Sequence, residues 1–177
     1  MAVQIGAKPD SGFDDPIGML IDCHRRIELF LRTLCVVADK AAGRTLTEEE
    51  TMAVQSALNY FHVGGLRHTA DEEESLFPRL RAKLSSTDGE DLDRLENDHR
   101  CANDLHAAVD ALYSEWIEAG RLNSEEEQRL HASSLQLKNL YEEHIQVEEG
   151  IVFPRAAEVL DSRTIAAIGQ EFVARRK

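Results

Sequence analysis

One motif occurs twice in this chain, in the same register within two long helical stretches. Its copies begin at His68 and His144, and both read H-x-x-x-E-E-x-x-x-F-P-R. The stretches that precede them also correspond, because residues 20–25 and 95–100 both read L-x-x-x-H-R. A pair of helices has therefore been duplicated, and each copy carries one histidine on its first helix and an H-x-x-x-E on its second.

The spacing within the repeat predicts a cluster of metal ligands. Residues four apart lie on the same face of a helix, so the histidine and the first glutamate of each motif point in one direction. In an antiparallel four-helix bundle, these pairs meet the histidines of the other two helices at the centre. The predicted ligands are four histidines and two glutamates: His24, His68, Glu72, His99, His144 and Glu148.

This set of donor atoms suits a pair of metal ions. Imidazole nitrogen with carboxylate oxygen is typical of iron or manganese sites, and the lack of thiolates in the cluster argues against structural zinc. Four histidines are more than one ion needs, but they fit two ions that share both carboxylates. By the symmetry of the repeat, His24 and His68 are assigned to one ion. His99 and His144 are assigned to the other, with the two glutamates as bridges.

The rest of the sequence favours an all-α fold. Apolar residues recur at helical spacing, no period-two strand pattern occurs, and only 10 glycines and 4 prolines interrupt the 177 residues. The predicted architecture is an antiparallel up-down-up-down four-helix bundle with a short extra C-terminal helix. Its predicted parts are an N-terminal extension at 1–14, the bundle at 15–160 and the C-terminal helix at 161–177.

Local signals predict helix boundaries and irregularities. Four helix starts are predicted from capping residues: Asp15-Pro16, Thr47 with Glu50, Ser124 and Asp161-Ser162. The polar cluster Ser85–Gly89 separates the second and third helices. Gly64-Gly65 predicts a kink or bulge inside the second helix, with a frayed turn without function as the alternative. Pro78 and Pro154 are expected to kink or end the helices that contain them.

Charge and cysteine content exclude several classes of protein. With 20 Lys and Arg against 33 Asp and Glu, the net charge is −13, and no basic stripe offers a surface to nucleic acid or to an anionic membrane. Neither a spanning helix nor a secretory signal is visible in the sequence. The three widely spaced cysteines fit a reducing cytoplasm rather than a disulfide scaffold. We therefore expect a cytoplasmic protein; no feature identifies a protein partner.

The repeat resembles the hemerythrin-like (HHE cation-binding) family. The resemblance covers about residues 16–158 and includes the order H…HxxxE…H…HxxxE and the Phe-Pro that follows each motif. It implies a four-helix bundle with two iron ions joined by an oxo or hydroxo bridge, for which manganese or zinc are possible substitutes. Carried over by position, the family's ligands are the same six residues identified above. The implied partner is a small diatomic molecule or peroxide.

The chain departs from the oxygen-carrying members of that family at two positions. They have a fifth histidine four residues after the one on the third helix, where this chain has Asn103. They also have an aspartate five residues after the last ligand histidine, where this chain has Glu149. The four-histidine set is more similar to a branch associated with nitric oxide response and iron–sulfur repair. That branch carries an extra cysteine-containing N-terminal domain, which we do not expect here.

Three functions therefore stay open at this point. The first is a non-haem di-iron protein that binds or senses dioxygen, nitric oxide or peroxide. The second is an iron or nitric oxide stress protein that stores or donates iron, repairs iron–sulfur centres or consumes peroxide. The third is a metal-stabilised helical interaction module without redox chemistry. The sequence does not decide whether the protein is an enzyme.

Several polar residues near the predicted ligands have alternative roles. Glu28 shares a face with His24, but a solvated pair with Arg25 or Arg32 is favoured over a seventh ligand. His106 is too far along its helix from His99 to share a metal, so it is expected either to support a ligand or to lie on the surface. The remaining expectations concern five other side chains. His62 and His131 are expected on the surface, and Cys23 and Cys101 as small buried fillers. Tyr141 is expected either to bind a ligand residue or to pack in the core.

Overall fold

The computed structural model describes residues 10–84 and 89–177, and every regular element within them is helical, which confirms the predicted all-α class. Five continuous helical segments follow one another: α1 (Pro16–Lys40), α2 (48–81), α3 (Glu90–Ala119), α4 (124–159) and α5 (Ser162–Ala174). No helix of this described part has an apolar stretch long enough to cross a membrane. Residues 1–9 of the predicted extension, and 85–88 of the predicted break, lie outside the described residues.

Helix starts follow the predicted caps with one correction. The starts of α1, α2 and α5 are confirmed, because three side chains accept hydrogen bonds from first-turn amides: Asp15, Thr47 and Asp161. The predicted cap of α4 at Ser124 is wrong by one residue. Asn123 is the cap, and its Oδ1 accepts hydrogen bonds from the amides of Glu125 and Glu126 at 2.9 and 3.0 Å. This placement leaves Glu126 to complete the capping box.

α2 and α4 widen into π-helical turns where the sequence predicted distortion. The π-helical segments are Phe61–Gly65, Asp71–Leu76 and Glu148–Val152. The first confirms the bulge predicted at Gly64-Gly65. The other two come immediately before Phe-Pro, and α-helix resumes through Pro78 and Pro154. A proline ring clashes with the carbonyl four residues back, and the wider turns before each proline are the distortion that lets the helix continue.

Two apolar clusters fill the interior, and the predicted ligands lie between them along each of the helices α1 to α4. The Trp116 cluster includes Ile27 and Val109, and the Phe172 cluster includes Leu20 and Leu95. In α1 and α3, the buried apolar residues before the ligand histidine belong to the Phe172 cluster, and those after it belong to the Trp116 cluster. In α2 and α4 the order of the two clusters along the helix is reversed. The ligand residues therefore form a polar layer across an otherwise apolar core.

Candidate metal centre

The structure brings all six sequence-predicted ligands together in that polar layer. α1 supplies His24 and α3 supplies His99, while α2 and α4 each supply one histidine and one glutamate. Each of the six side chains is almost completely buried, with at most 4% of the residue exposed. Burying so many ionisable groups is costly unless they are paired or bind a metal ion.

The six residues form two groups that share both glutamates. One group contains His24 and His68, the other contains His99 and His144, and the ligand atoms within each group lie within 4.8 Å of one another. Glu148 spans the groups, because its two carboxylate oxygens lie 3.0 Å from His24 Nε2 and 3.3 Å from His144 Nε2. Glu72 spans them in the same way, with its oxygens 3.4 Å from His68 Nε2 and 3.4 Å from His99 Nε2.

The donor atoms of the centre lack hydrogen bonds, which fits a site for cations. Both carboxylate oxygens of Glu72 and of Glu148 are buried without a hydrogen-bond partner in the described part of the chain. The same is true of Nε2 in three of the histidines: His24, His99 and His144. A buried polar atom left unpaired costs about 1–3 kcal/mol. Several such atoms converging on two points are what a pair of metal ions would satisfy.

The pKa shifts of the two glutamates also indicate a site for cations. Burial raises the pKa of Glu72 well above its usual value, and the charge of Glu148 raises that pKa further. Burial also acts to raise the pKa of Glu148, but the charges of the nearby His144 and His24 outweigh it and lower that pKa. Burial lowers the pKa of His68 well below its usual value. Two neighbouring carboxylates therefore need a proton or a cation between them to stay buried.

The second glutamate of each motif orients a histidine from the other copy of the repeat. His24 Nδ1 donates to Glu149 at 2.8 Å, and His99 Nδ1 donates to Glu73 at 2.8 Å. This contact fixes each ring so that Nε2, the other nitrogen, is free to bind a metal. The sequence did not predict this orienting role for either glutamate, although Glu149 stood out as a departure from the oxygen-carrying members of the family. Their signal was the second Glu of the motif, which is present in both copies.

Each phenylalanine of the motif likewise contacts a histidine from the other copy of the repeat. Phe153 stacks on the ring of His24 with centroids 5.5 Å apart, and Phe77 stacks on the ring of His99 at 6.4 Å. Both phenylalanines are almost completely buried. The second Glu and the Phe of each motif thus both contact the ligand histidine on the first helix of the other copy. This shared role explains why both copies contain them.

The two groups differ in how their H-x-x-x-E histidines are supported. His144 Nδ1 faces Asp98 at an ion-pair distance of 3.5 Å. Neither Nδ1 has a hydrogen-bond partner within the described residues, and His68 Nδ1 has no carboxylate there at ion-pair distance either. The repeat accounts for the difference, because Cys23 occupies the position in the first copy that Asp98 occupies in the second.

The other candidate residues lie outside the two groups. Glu28 pairs with Arg25 at 3.2 Å, as the solvated alternative predicted. The surface positions expected for His62 and His131 are confirmed. The prediction that the cysteines are buried fillers is wrong, since Cys101 is exposed and Cys23 is only half-buried. Cys101 lies on the outward face of α3, two residues beyond His99, where helical geometry turns its side chain away from the core.

Tyr141 packs in the Trp116 cluster, as one of the two alternatives predicted, and it also binds a histidine outside the predicted ligand set. Its hydroxyl lies 3.2 Å from Nε2 of His106, and its ring centroid lies 6.1 Å from that of His144. Burial lowers the pKa of His106 to about 4, so its ring is neutral near pH 7. His106 lines a cavity of about 280 Å³ between α2 and α3, together with Phe61. The exposed Asn103 lies at the same cavity.

The described geometry agrees with what sequence comparison finds. The family model of the Hemerythrin HHE cation binding domain matches residues 15–160. An uncharacterized protein of Haemophilus influenzae is 28% identical over 166 residues, which cover 93% of this chain and 92% of that protein. The range matched by the family begins at the cap of α1 and extends one residue beyond α4, so it contains every helix that carries a candidate ligand.

Proposed function

The chain belongs to the hemerythrin HHE cation-binding domain family, and on that premise we propose that it is a non-haem di-iron protein that binds or senses a small molecule. His24 and His68 would hold one iron, and His99 and His144 the other. Glu72 and Glu148 would bridge the ions together with an oxo or hydroxo group. The observation that carries this proposal is the pair of buried ligand groups sharing two glutamates whose oxygens lack hydrogen bonds.

We also infer that the four long helices run up-down-up-down. The support is the opposite order in which successive helices pass through the two apolar clusters. Such a bundle places ligands from all four helices in one central layer. We assign the bundle to residues 15–160 and treat residues 161–177 as a helix packed on its outside.

Bound iron would supply redox chemistry and open coordination positions for dioxygen, nitric oxide or peroxide. Each ligand group offers two imidazoles and two shared carboxylates, and the two groups found among the described residues contain four histidines in total, not five. A non-haem iron held by so few protein donors keeps positions for an external ligand. The surrounding side chains exclude water, because apolar clusters lie on both sides of the ligand layer. This arrangement favours reaction with small molecules over storage of many ions.

The cavity at His106 is the route that we assign to the small molecule. His62 and Asp110 pair at 3.1 Å among its lining residues, and His106 is a neutral polar group within it. Tyr141 continues from His106 toward His144. A neutral histidine suits an uncharged molecule that forms hydrogen bonds, such as hydrogen peroxide, and gives an apolar gas no advantage.

His106→Leu tests this route and the proposed reactivity together. The reduced, iron-loaded protein is mixed with peroxide or with dioxygen, and the growth of near-ultraviolet absorption is followed by stopped flow. Losing one hydrogen bond, worth about 1 kcal/mol, should slow the peroxide reaction by roughly five-fold. The dioxygen reaction should keep its rate, as should both reactions of the matched surface variant His131→Leu. An unchanged peroxide rate in His106→Leu would contradict the route, and wild-type protein that reacts with neither molecule and binds no nitric oxide would overturn the proposed function.

The cross-copy hydrogen bonds predict equal effects for two distant substitutions. Glu73→Gln and Glu149→Gln each remove the charge that orients one ligand histidine, so each should weaken iron binding by about 10- to 100-fold. Competition with a chelator measures the affinity. Glu143→Gln makes the same chemical change at an exposed position of α4 and should bind iron like the wild type. Unchanged affinity in both motif variants would contradict the orienting role.

A further inference from the structure

The C-terminal helix α5 reaches into the segment that carries one bridging glutamate. Asp71, which directly precedes Glu72, is fully buried. Arg175 Nη1 donates to Asp71 Oδ1 at 2.9 Å, and Arg176 Nη2 donates to Asp71 Oδ2 at 2.6 Å. Two arginines immediately after α5 thus hold the carboxylate next to a candidate metal ligand.

Arg175 also holds the rest of this π-helical segment. Its Nη2 donates to Ser75 Oγ at 2.7 Å, and its Nε donates to Glu74 at 3.1 Å. Three side chains of Asp71–Leu76 therefore bind one arginine. The wide turn of a π-helix packs less regularly than an α-helix, so side-chain contacts of this kind fix its shape.

The negative charge of this segment makes the position of Glu72 depend on these arginine contacts. Residues 71–74 are four consecutive acids, and the first two are completely buried. A buried carboxylate that loses its partner is strongly destabilised, so the segment would have to move to expose Asp71. Such a movement would displace Glu72, because the two residues are adjacent. The oxygens of Glu72 would then shift relative to His68 and His99.

The contacts of Arg175 and Arg176 with Asp71 are called the clamp below. The second copy of the repeat shows that the motif itself does not require this clamp. Val147 and Ile151 occupy the positions equivalent to Asp71 and Ser75. Their side chains have no charge or hydrogen-bonding group for an arginine to bind. The polar residues of the first copy and the arginines after α5 therefore form a matched set that the repeat lacks elsewhere.

We propose that Arg175 and Arg176 are positioning residues for the metal centre. Acting through Asp71, they hold Glu72 where it can bridge the two ligand groups. This proposal rests on the proposed metal-binding function and adds to it that α5, which supplies no ligand, is required for tight metal binding.

The test compares two ways of loosening α5 from α2. Arg175→Gln with Arg176→Gln removes the clamp, whereas Glu171→Gln breaks a separate bidentate ion pair to Arg79, at 2.7 and 3.0 Å. Thermal unfolding of the metal-free proteins measures the structural effect, and transfer of iron to a chelator measures retention. We expect both variants to unfold at a lower temperature. Only the double variant should release iron faster, by about 10- to 100-fold.

Asp71→Asn is the second variant, in case the double variant does not fold. It removes the buried charge while keeping the side chain's shape, and it should also accelerate iron release. Release at the wild-type rate from Asp71→Asn, or at the Glu171→Gln rate from the double variant, would overturn the positioning role. Wild-type protein that binds no iron would instead overturn the proposed function.

Discussion

Replacing Glu148 with glutamine is expected to remove both metal ions, whereas replacing one histidine should mainly remove the nearer one. Glu148 is shared by the two ligand groups and lies within 3.3 Å of a histidine in each. A glutamine keeps the shape of the side chain but has no negative charge, and one of its two donor positions becomes an NH₂ group. The iron content of Glu148→Gln should therefore fall from two ions per chain toward none.

Glu142→Gln is the matched control for this prediction. It makes the same change on the same helix at a half-exposed residue that pairs with Lys138. Elemental analysis after iron loading gives the stoichiometry, and circular dichroism verifies that the helices persist. If Glu148→Gln retained two ions, the bridging assignment would be wrong.

Removing the metal ions should lower the melting temperature substantially. Ligand at about one hundred times its Kd adds roughly 2.7 kcal/mol per site to the stability. Each kcal/mol is worth about 2–4 °C for a domain of this size, so two sites should contribute roughly 10–20 °C. The physical reason is that the apoprotein keeps buried polar atoms, including both oxygens of Glu72 and Glu148, without partners.

Calorimetry of the iron-loaded and chelator-treated protein measures this difference. In Glu148→Gln, chelator treatment should change the melting temperature little, because that variant has little metal to lose. Equal melting temperatures for loaded and metal-free wild type would mean that the polar layer is stable without cations. That result would contradict the interpretation of its unpaired atoms.

The helical class and the convergence of six side chains were predictable because both follow from spacing. A residue and its neighbour four positions on share a helix face whatever surrounds them. The duplication then gave the relation between the two halves. This is why His24 and His144, far apart in the sequence, could be placed in one polar layer before the structure was known.

The contacts around the ligands could not be predicted, because they depend on how the helices pack. The clamp on Asp71 joins residues about one hundred positions apart through a turn whose π-helical shape has no simple sequence pattern. The burial of His106 depends on the neighbouring Phe61 and Tyr141 rather than on its own helix. The error at Cys101 has the same origin, since cysteine's usual burial does not say which face of α3 points outward.

Anaerobic titration of the metal-free protein with ferrous iron tests the central claim most directly. The claim is that two buried ligand groups, sharing Glu72 and Glu148, each hold one iron. Mössbauer spectra of the loaded protein after oxidation then report whether the ions are coupled through a bridge. We predict saturation at two equivalents per chain and a spin-coupled pair. Saturation at one equivalent, or two uncoupled ions, would contradict the account.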